Sequence, residues 1–250
     1  MQPIPGSNPA TNVVPDAASN LSKKAQVAEM FNNISGRYDF LNHFLSLGID
    51  KGWRKKAIAE VAKANPKNIL DVATGTGDLA IAAAALKPNR ITGLDIADQM
   101  LEVGRKKIAA QNLSGMISMQ SGDSEAMPFA TGEYDVVMCA YGVRNFEHLE
   151  AGLTEMCRVL RPGGKAVILE FSHPARFPVK QAYLFYFRYI LPSLGKLLSK
   201  HSRAYTYLNE SVMAFPEGKR FCDILTRCGF KDAKARPLTF GVTTLYTAFK

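Results

Sequence analysis

The hydrophobic pattern along the chain changes rhythm twice. From Ser22 to about Ser46, apolar residues recur at helical spacing (Val27, Met30, Phe31, Ile34) and predict a helix. DKGWRKKAIAEVAKAN, residues 50–65, predicts another, stopped by Pro66. A regular alternation follows. NILDVA, RITGLDIA, ISMQSGD, YDVVMCAYG and KAVILEFS read as five strands. DLAIAAAAL, DQMLEVGRKKIAAQ and HLEAGLTEMCRVL read as intervening helices; Asp98 is the expected N-cap of the second, and RPGG stops the third. Strands separated by helices of this length predict an α/β fold with a doubly wound, mostly parallel sheet. The ending differs. GKRFCDILTRCGF predicts a helix closed by Gly229, and DAKARPLTFG with VTTLYTAFK predicts a terminal β-hairpin.

Composition changes this picture modestly. A chain of 250 residues, 47% hydrophobic, can bury a sizeable core. Residues 1–20 are rich in Pro, Asn, Ser and Ala, with Asp16 their one charged side chain, and read as a disordered lead-in to a single domain over 21–250. Cys139, Cys157, Cys222 and Cys228 have no CxxC spacing, so neither a metal site nor a disulfide framework is expected. No signal peptide or membrane-length apolar run is read, and a cytoplasmic location is expected. The formal charge of +9 favours anionic partners.

The candidate chemistry starts at DVATGTGDLA, Asp71 to Ala80. Gly75 and Gly77 lack the Cβ that would keep backbone from a ligand, and the next helix points its positive end at the site. A nucleoside-triphosphate loop is excluded, because no Gly-Lys-Ser/Thr follows. Asp95 lies 18 residues past Gly77 and suits a ribose. These features fit both a nicotinamide dinucleotide and S-adenosylmethionine. Asp71, expected to face the pocket, would repel a pyrophosphate but not a sulfonium. Asp123 and Ser124 could serve an adenine edge, or form an ordinary polar turn.

DVATGTGD, GLDIA, GDSEAMPF and RVLRPGGKAVILEFS resemble, in order and spacing, the motifs of class I S-adenosylmethionine-dependent methyltransferases. A parallel sheet ending in a hairpin resembles their seven-stranded fold. YDFLNHFLSLGIDKGWRK, RVLRPGGKAVILEFSHP and AYGVRN are similar to signatures of the menaquinone/ubiquinone biosynthesis C-methyltransferases, a resemblance covering about residues 25–250. Leu41, Asp50 and Thr74 depart from the usual Met, His and Gly. The resemblance places cofactor contacts at Thr76, Asp95, Asp123 and Ser124; where some members have a serine contact this chain has Ala140.

The resemblance implies methyl transfer to a ring carbon of a polyprenyl demethylquinol. Demethylmenaquinol is preferred, and the benzoquinol of ubiquinone biosynthesis is the alternative. Arg144 would stabilise a phenolate, Asn145 would orient a ring oxygen, and His173 or Asp39 would act as base. A lipid-tailed substrate implies visits to the inner face of the cytoplasmic membrane. The insert at about residues 175–208 suits this. From Phe171 to Tyr205 there are six basic residues (Arg176, Lys180, Arg188, Lys196, Lys200, Arg203), no acid, and an aromatic cluster of Tyr183, Phe185, Tyr186, Phe187 and Tyr189. A helical lid packed on the sheet is the equal alternative for it. Three other functions compete. An NAD-dependent oxidoreductase is disfavoured by Asp71 and the hairpin. A nucleic-acid methyltransferase is disfavoured by the absence of an Asn/Asp-Pro-Pro-Tyr/Phe motif, so no nucleic-acid partner is expected. A lipid-anchored binding module without chemistry is the third. A homodimer is left open.

Overall fold

The computed structural model describes residues 13–40, 46, 48–174, 177–185 and 202–250. Fifteen regular elements follow in chain order among them. They are α1 (Lys23–Ile34), α2 (Ile49–Ala62), β1 (Asn68–Val72), α3 (Asp78–Ala83), β2 (Arg90–Asp95), α4 (Asp98–Ala110), β3 (Ile117–Ser121), β4 (Tyr134–Ala140), α5 (Leu149–Val159), β5 (Leu160–Phe171), α6 (Val179–Phe185), α7 (Ser202–Ala214), α8 (Lys219–Arg227), β6 (Lys231–Leu238) and β7 (Thr243–Phe249).

The strands form one seven-stranded sheet in the order β3-β2-β1-β4-β5-β7-β6. The first five run parallel, and β7 pairs antiparallel with both β5 and β6. The expected hairpin is therefore present, with its second strand inserted beside β5. Strands covered on both faces bury nearly every side chain: β1 has four of its five residues buried, and β4 five of its seven.

Helices cover both faces. Trp53, Ala57 and Val61 of α2, Leu79, Ala80 and Ala83 of α3 and Ile108 of α4 pack on one. Leu149, Leu153 and Met156 of α5 and Phe221, Ile224 and Leu225 of α8 pack on the other. Ala80 and Ala83 of α3 are fully buried, so their small size sets its distance from the sheet.

Three boundaries differ from the sequence pattern. The first helix ends at Ile34, where a 3₁₀ turn over Ser35–Arg37 redirects the chain. Ala97 rather than Asp98 holds the N-cap position of α4, because the Asp95 carboxylate accepts the Ala97 N–H and fixes the turn one residue earlier. Residues 13–20, read as part of the lead-in, hold a turn in which Asp16 N–H donates to Gln26 Oε1 of α1. Most of the basic aromatic insert, including Arg176, Arg188, Lys196 and Lys200, lies outside the described residues.

Candidate functional site

The sheet order reverses between β1 and β4, so their C-terminal ends diverge into a crevice, the usual ligand position in such sheets. A partly open cleft lies there. Its floor comes from Ala73 and Gly75 after β1, Asp95 after β2, Asp123 and Ser124 after β3, and Ala140 to Gly142 with Asn145 after β4. Lys24, Val27 and Phe31 of α1, with Tyr38, form its cover. A Cβ on Gly142 would come within 2.5 Å of Ala73 Cβ, so only glycine lets the two loops meet. Ala73 (φ 53°) and Tyr141 (φ 60°) are left-handed in the same two loops. Such strain in non-glycine residues concentrates at functional sites.

Asp95 organises the middle of the cleft. Its Oδ2 accepts the Gly75 N–H at 2.7 Å and its Oδ1 accepts the Ala97 N–H at 2.9 Å. Each oxygen keeps a lone pair for a further donor, which suits the two hydroxyls of a ribose. Burial pushes this carboxyl above its ordinary range, against the pull of the backbone N–H groups. At the far end, Asp123 accepts Glu125 N–H at 2.9 Å and is ion-paired with Lys24. Lys24 also reaches Glu125 at 3.3 Å.

Asp71, Thr76 and Gly77 lie under the cleft and do not line it. Asp71 is buried and accepts Thr74 Oγ1–H at 2.7 Å, while its Oδ1 has no hydrogen-bond partner. Desolvation raises its pKa to about 7. The sequence expectation of a negative charge facing the ligand is thus replaced by a buried carboxyl that braces the turn and whose charge burial disfavours. Gly77 takes the left-handed conformation (φ 79°) that starts α3. Thr76 donates its hydroxyl to Asp39 at 2.5 Å, and Lys107 joins Asp39 at 2.6 Å and pairs with Asp78. Arg54 extends the chain of charges from Asp78 to Asp50. Asp39 is therefore a structural anion here, and Asp50 accepts Ser46 Oγ–H at 2.6 Å.

The other end of the cleft is the 3₁₀ turn Val143–Asn145. Of the three residues expected to meet the acceptor, Asn145 lines the cleft. Arg144 is buried behind it, bonded through Nη1 to Glu170 at 2.9 Å and to the Tyr141 carbonyl, with its Nε unpartnered. Burial raises the Glu170 carboxyl and the Arg144 charge opposes that rise. His173 lies outside the cleft lining. Its N–H donates to Glu217 Oε2 at 2.7 Å, its Nδ1 sits 3.3 Å from the same oxygen, and its Nε2 is buried without a partner.

Sequence reasoning missed Lys23, Lys24, Glu170, Tyr207 and Glu217. Glu170 carried a signal, a lone acid inside the apolar run AVILEF. The others sit on helices or a loop whose partners are remote in sequence. Among the described residues, no cluster of acids, histidines and cysteines could hold a metal ion.

The sequence model of the ubiE/COQ5 methyltransferase family matches residues 19–250. The chain belongs to that family. A ubiE/COQ5 relative, the demethylmenaquinone methyltransferase of Bacteroides fragilis, is 49% identical over 93% of this chain and 96% of its own length. The ubiquinone/menaquinone biosynthesis C-methyltransferase of Geotalea daltonii is 46% identical over 91% of this chain and 97% of its own length. In fold, the chain is similar to a putative S-adenosylmethionine-dependent methyltransferase from Methanococcus maripaludis (TM-score 0.59, 18% identity, 94% of this chain and 97% of that one). The seven-stranded, mostly parallel sheet with its terminal hairpin is the class I S-adenosylmethionine-dependent methyltransferase fold.

Proposed function

We propose that this chain transfers a methyl group from S-adenosylmethionine to a ring carbon of demethylmenaquinol. The observation that carries the reading is that one continuous cleft has the twofold-braced Asp95 carboxylate in its middle, a carboxylate at Asp123 and the Asn145 amide at its other end. The residues fit the nucleoside: Asp95 accepts ribose hydroxyls, Asp123 accepts the adenine amino group beside Ser124, and Gly75 permits close backbone approach. Thr76, Gly77 and Asp71 act below, holding the turn. When bound, S-adenosylmethionine supplies an electrophilic methyl whose C–S bond breaks with its electron pair going to sulfur.

The chain's own task is alignment, charge placement and exclusion of water. Alignment at near-attack geometry is worth about 7–11 kcal/mol, which removes the need for a strong nucleophile. Asn145 contacts the ring oxygen. Arg144 carries positive charge behind the turn, held by Glu170. His173, the base expected from the sequence, stands outside the cleft lining and is held by Glu217.

A polyprenyl tail favours lipid by about 0.8 kcal/mol per buried methylene, so the enzyme works as a peripheral protein at an anionic bilayer. Phe177 and Phe240 are each 80% exposed, which supports an apolar contact near the basic insert. Among the described residues no helix is long and apolar enough to cross a membrane.

The deciding assay offers labelled S-adenosylmethionine with short-tailed demethylmenaquinol and with the corresponding demethylated benzoquinol. Label in the naphthoquinol supports the proposal. Label in the benzoquinol alone moves the substrate to ubiquinone biosynthesis, a reading that the Geotalea daltonii relative's name keeps in view. Label in neither overturns it.

A further inference from the structure

We infer that Tyr207 of α7 is a positioning residue that locks the Asn145 amide as an N–H donor toward the acceptor's ring oxygen. The inference rests on the cleft being a methyl-transfer site for a quinol.

Hydrogen-bond satisfaction fixes the direction of the Asn145 amide. Asn145 Nδ2 lies 3.4 Å from the Tyr141 carbonyl oxygen, and a carbonyl only accepts. The amide nitrogen must face it. The amide oxygen then faces Tyr207, whose hydroxyl is 3.1 Å away and must donate. A flipped amide would set carbonyl against carbonyl. Tyr207 is 2% exposed, and burial raises its phenol, so it stays a donor across the working pH range. Asn145 lines the cleft, and its second Nδ2 hydrogen has no partner among the described residues.

The polarity of that amide matters for the chemistry. As a ring carbon of the quinol takes up a methyl group, the neighbouring phenol oxygen gives up its proton and carries negative charge. An N–H donor stabilises that oxygen; an amide carbonyl in the same place would repel it. Tyr207 therefore helps to set the pKa of a bound phenol it need not touch. Removing an oxyanion donor outright costs about 100-fold or more in kcat. The Tyr141 carbonyl sets the amide's direction and Tyr207 holds it there; without the hydroxyl the amide Oδ1 loses its donor and the amide its anchorage, which is expected to cost about tenfold.

Three variants test this: Tyr207→Phe, Asn145→Asp and the double. Each is titrated with S-adenosylmethionine, assayed for kcat and KM across pH, and mixed with a chromogenic nitronaphthol whose bound pKa is read by absorbance. In Tyr207→Phe we expect unchanged cofactor affinity, kcat down about tenfold and the acidic limb of kcat moved up about one pH unit. The nitronaphthol pKa should rise in parallel. Asn145→Asp keeps an acceptor but cannot donate, so it should lose at least as much, and adding Tyr207→Phe to it should cost little more. Additive losses, or an unchanged pH limb and nitronaphthol pKa in Tyr207→Phe, would overturn the positioning role. Should Tyr207→Phe not fold, wild-type turnover in Asn145→Asp would overturn it instead. A wild-type enzyme that methylates neither quinol removes the proposed function, whereas the nitronaphthol shift still reads the amide's polarity.

Discussion

Arg144 and Glu170 form a salt bridge of 2.9 Å with side chains only 6% and 0% exposed. Breaking a buried pair from one side leaves an uncompensated charge and costs about 3–5 kcal/mol. Arg144→Met is expected to lower stability by that order in urea unfolding. Arg144→Met combined with Glu170→Met should recover much of it, because the orphaned carboxylate is gone. Equal losses in the single and double variants would show that the pair's charges are not what couples them. Activity lost in Arg144→Met alone is therefore not a clean measure of phenolate stabilisation.

Asp71 should make stability depend on pH. Its folded pKa is about 7 against an ordinary 3.8, so the folded state holds the proton more tightly. Stability from this group is full at low pH and falls as pH rises toward 7. Asp71→Asn should gain on the wild type by about 3 kcal/mol between pH 4.5 and 7.5. Urea unfolding of both proteins at the two pH values reads the difference, which isolates Asp71 from other titrating groups. A constant gap would contradict a buried titrating carboxyl.

Lys24 competes for the carboxylate assigned to the adenine. Asp123→Ala is expected to weaken S-adenosylmethionine binding about tenfold, the order of one hydrogen bond to a charged group. Lys24→Met should instead tighten it several-fold in isothermal titration, since the ion pair no longer has to open. Weaker binding in Lys24→Met would make the lysine a ligand rather than a competitor.

The exposed Phe240 sits in the β6–β7 turn, beside Gly241, where an added Cβ would come within 3.4 Å of Pro174 Cα. If it dips into lipid, Phe240→Ser should lower sedimentation with anionic vesicles while cofactor affinity stays constant. High salt should weaken binding of both proteins, because basic residues supply the attraction to the leaflet. Equal sedimentation of variant and wild type would remove this contact.

Much of the fold was legible because parallel strands announce themselves. NILDVA, RITGLDIA and YDVVMCAYG are apolar runs ending at turns, and each is a strand with its functional residue at the C-terminal end. Asp95, Asp123, Ser124 and Asn145 were readable for that reason, and they do line the cleft. Asp71 and Arg144 sit in the same motifs but point elsewhere. Sequence position sets the end of a strand, whereas orientation depends on partners such as Thr74 and Glu170. Lys24 and Tyr207 were out of reach. Their roles exist only once α1 and α7 are laid against loops about 99 and 62 residues away.

Two adjacent lysines give α1 a further consequence. Lys23 donates to the Arg144 carbonyl oxygen at 3.3 Å, behind the Asn145 end of the cleft, while Lys24 pairs with Asp123 at the other. One rigid helix is thereby fastened to both halves of the active cleft. A shift of α1 at one end is thereby carried to the other, and any coupling this makes between two molecules bound in the cleft has to be reciprocal.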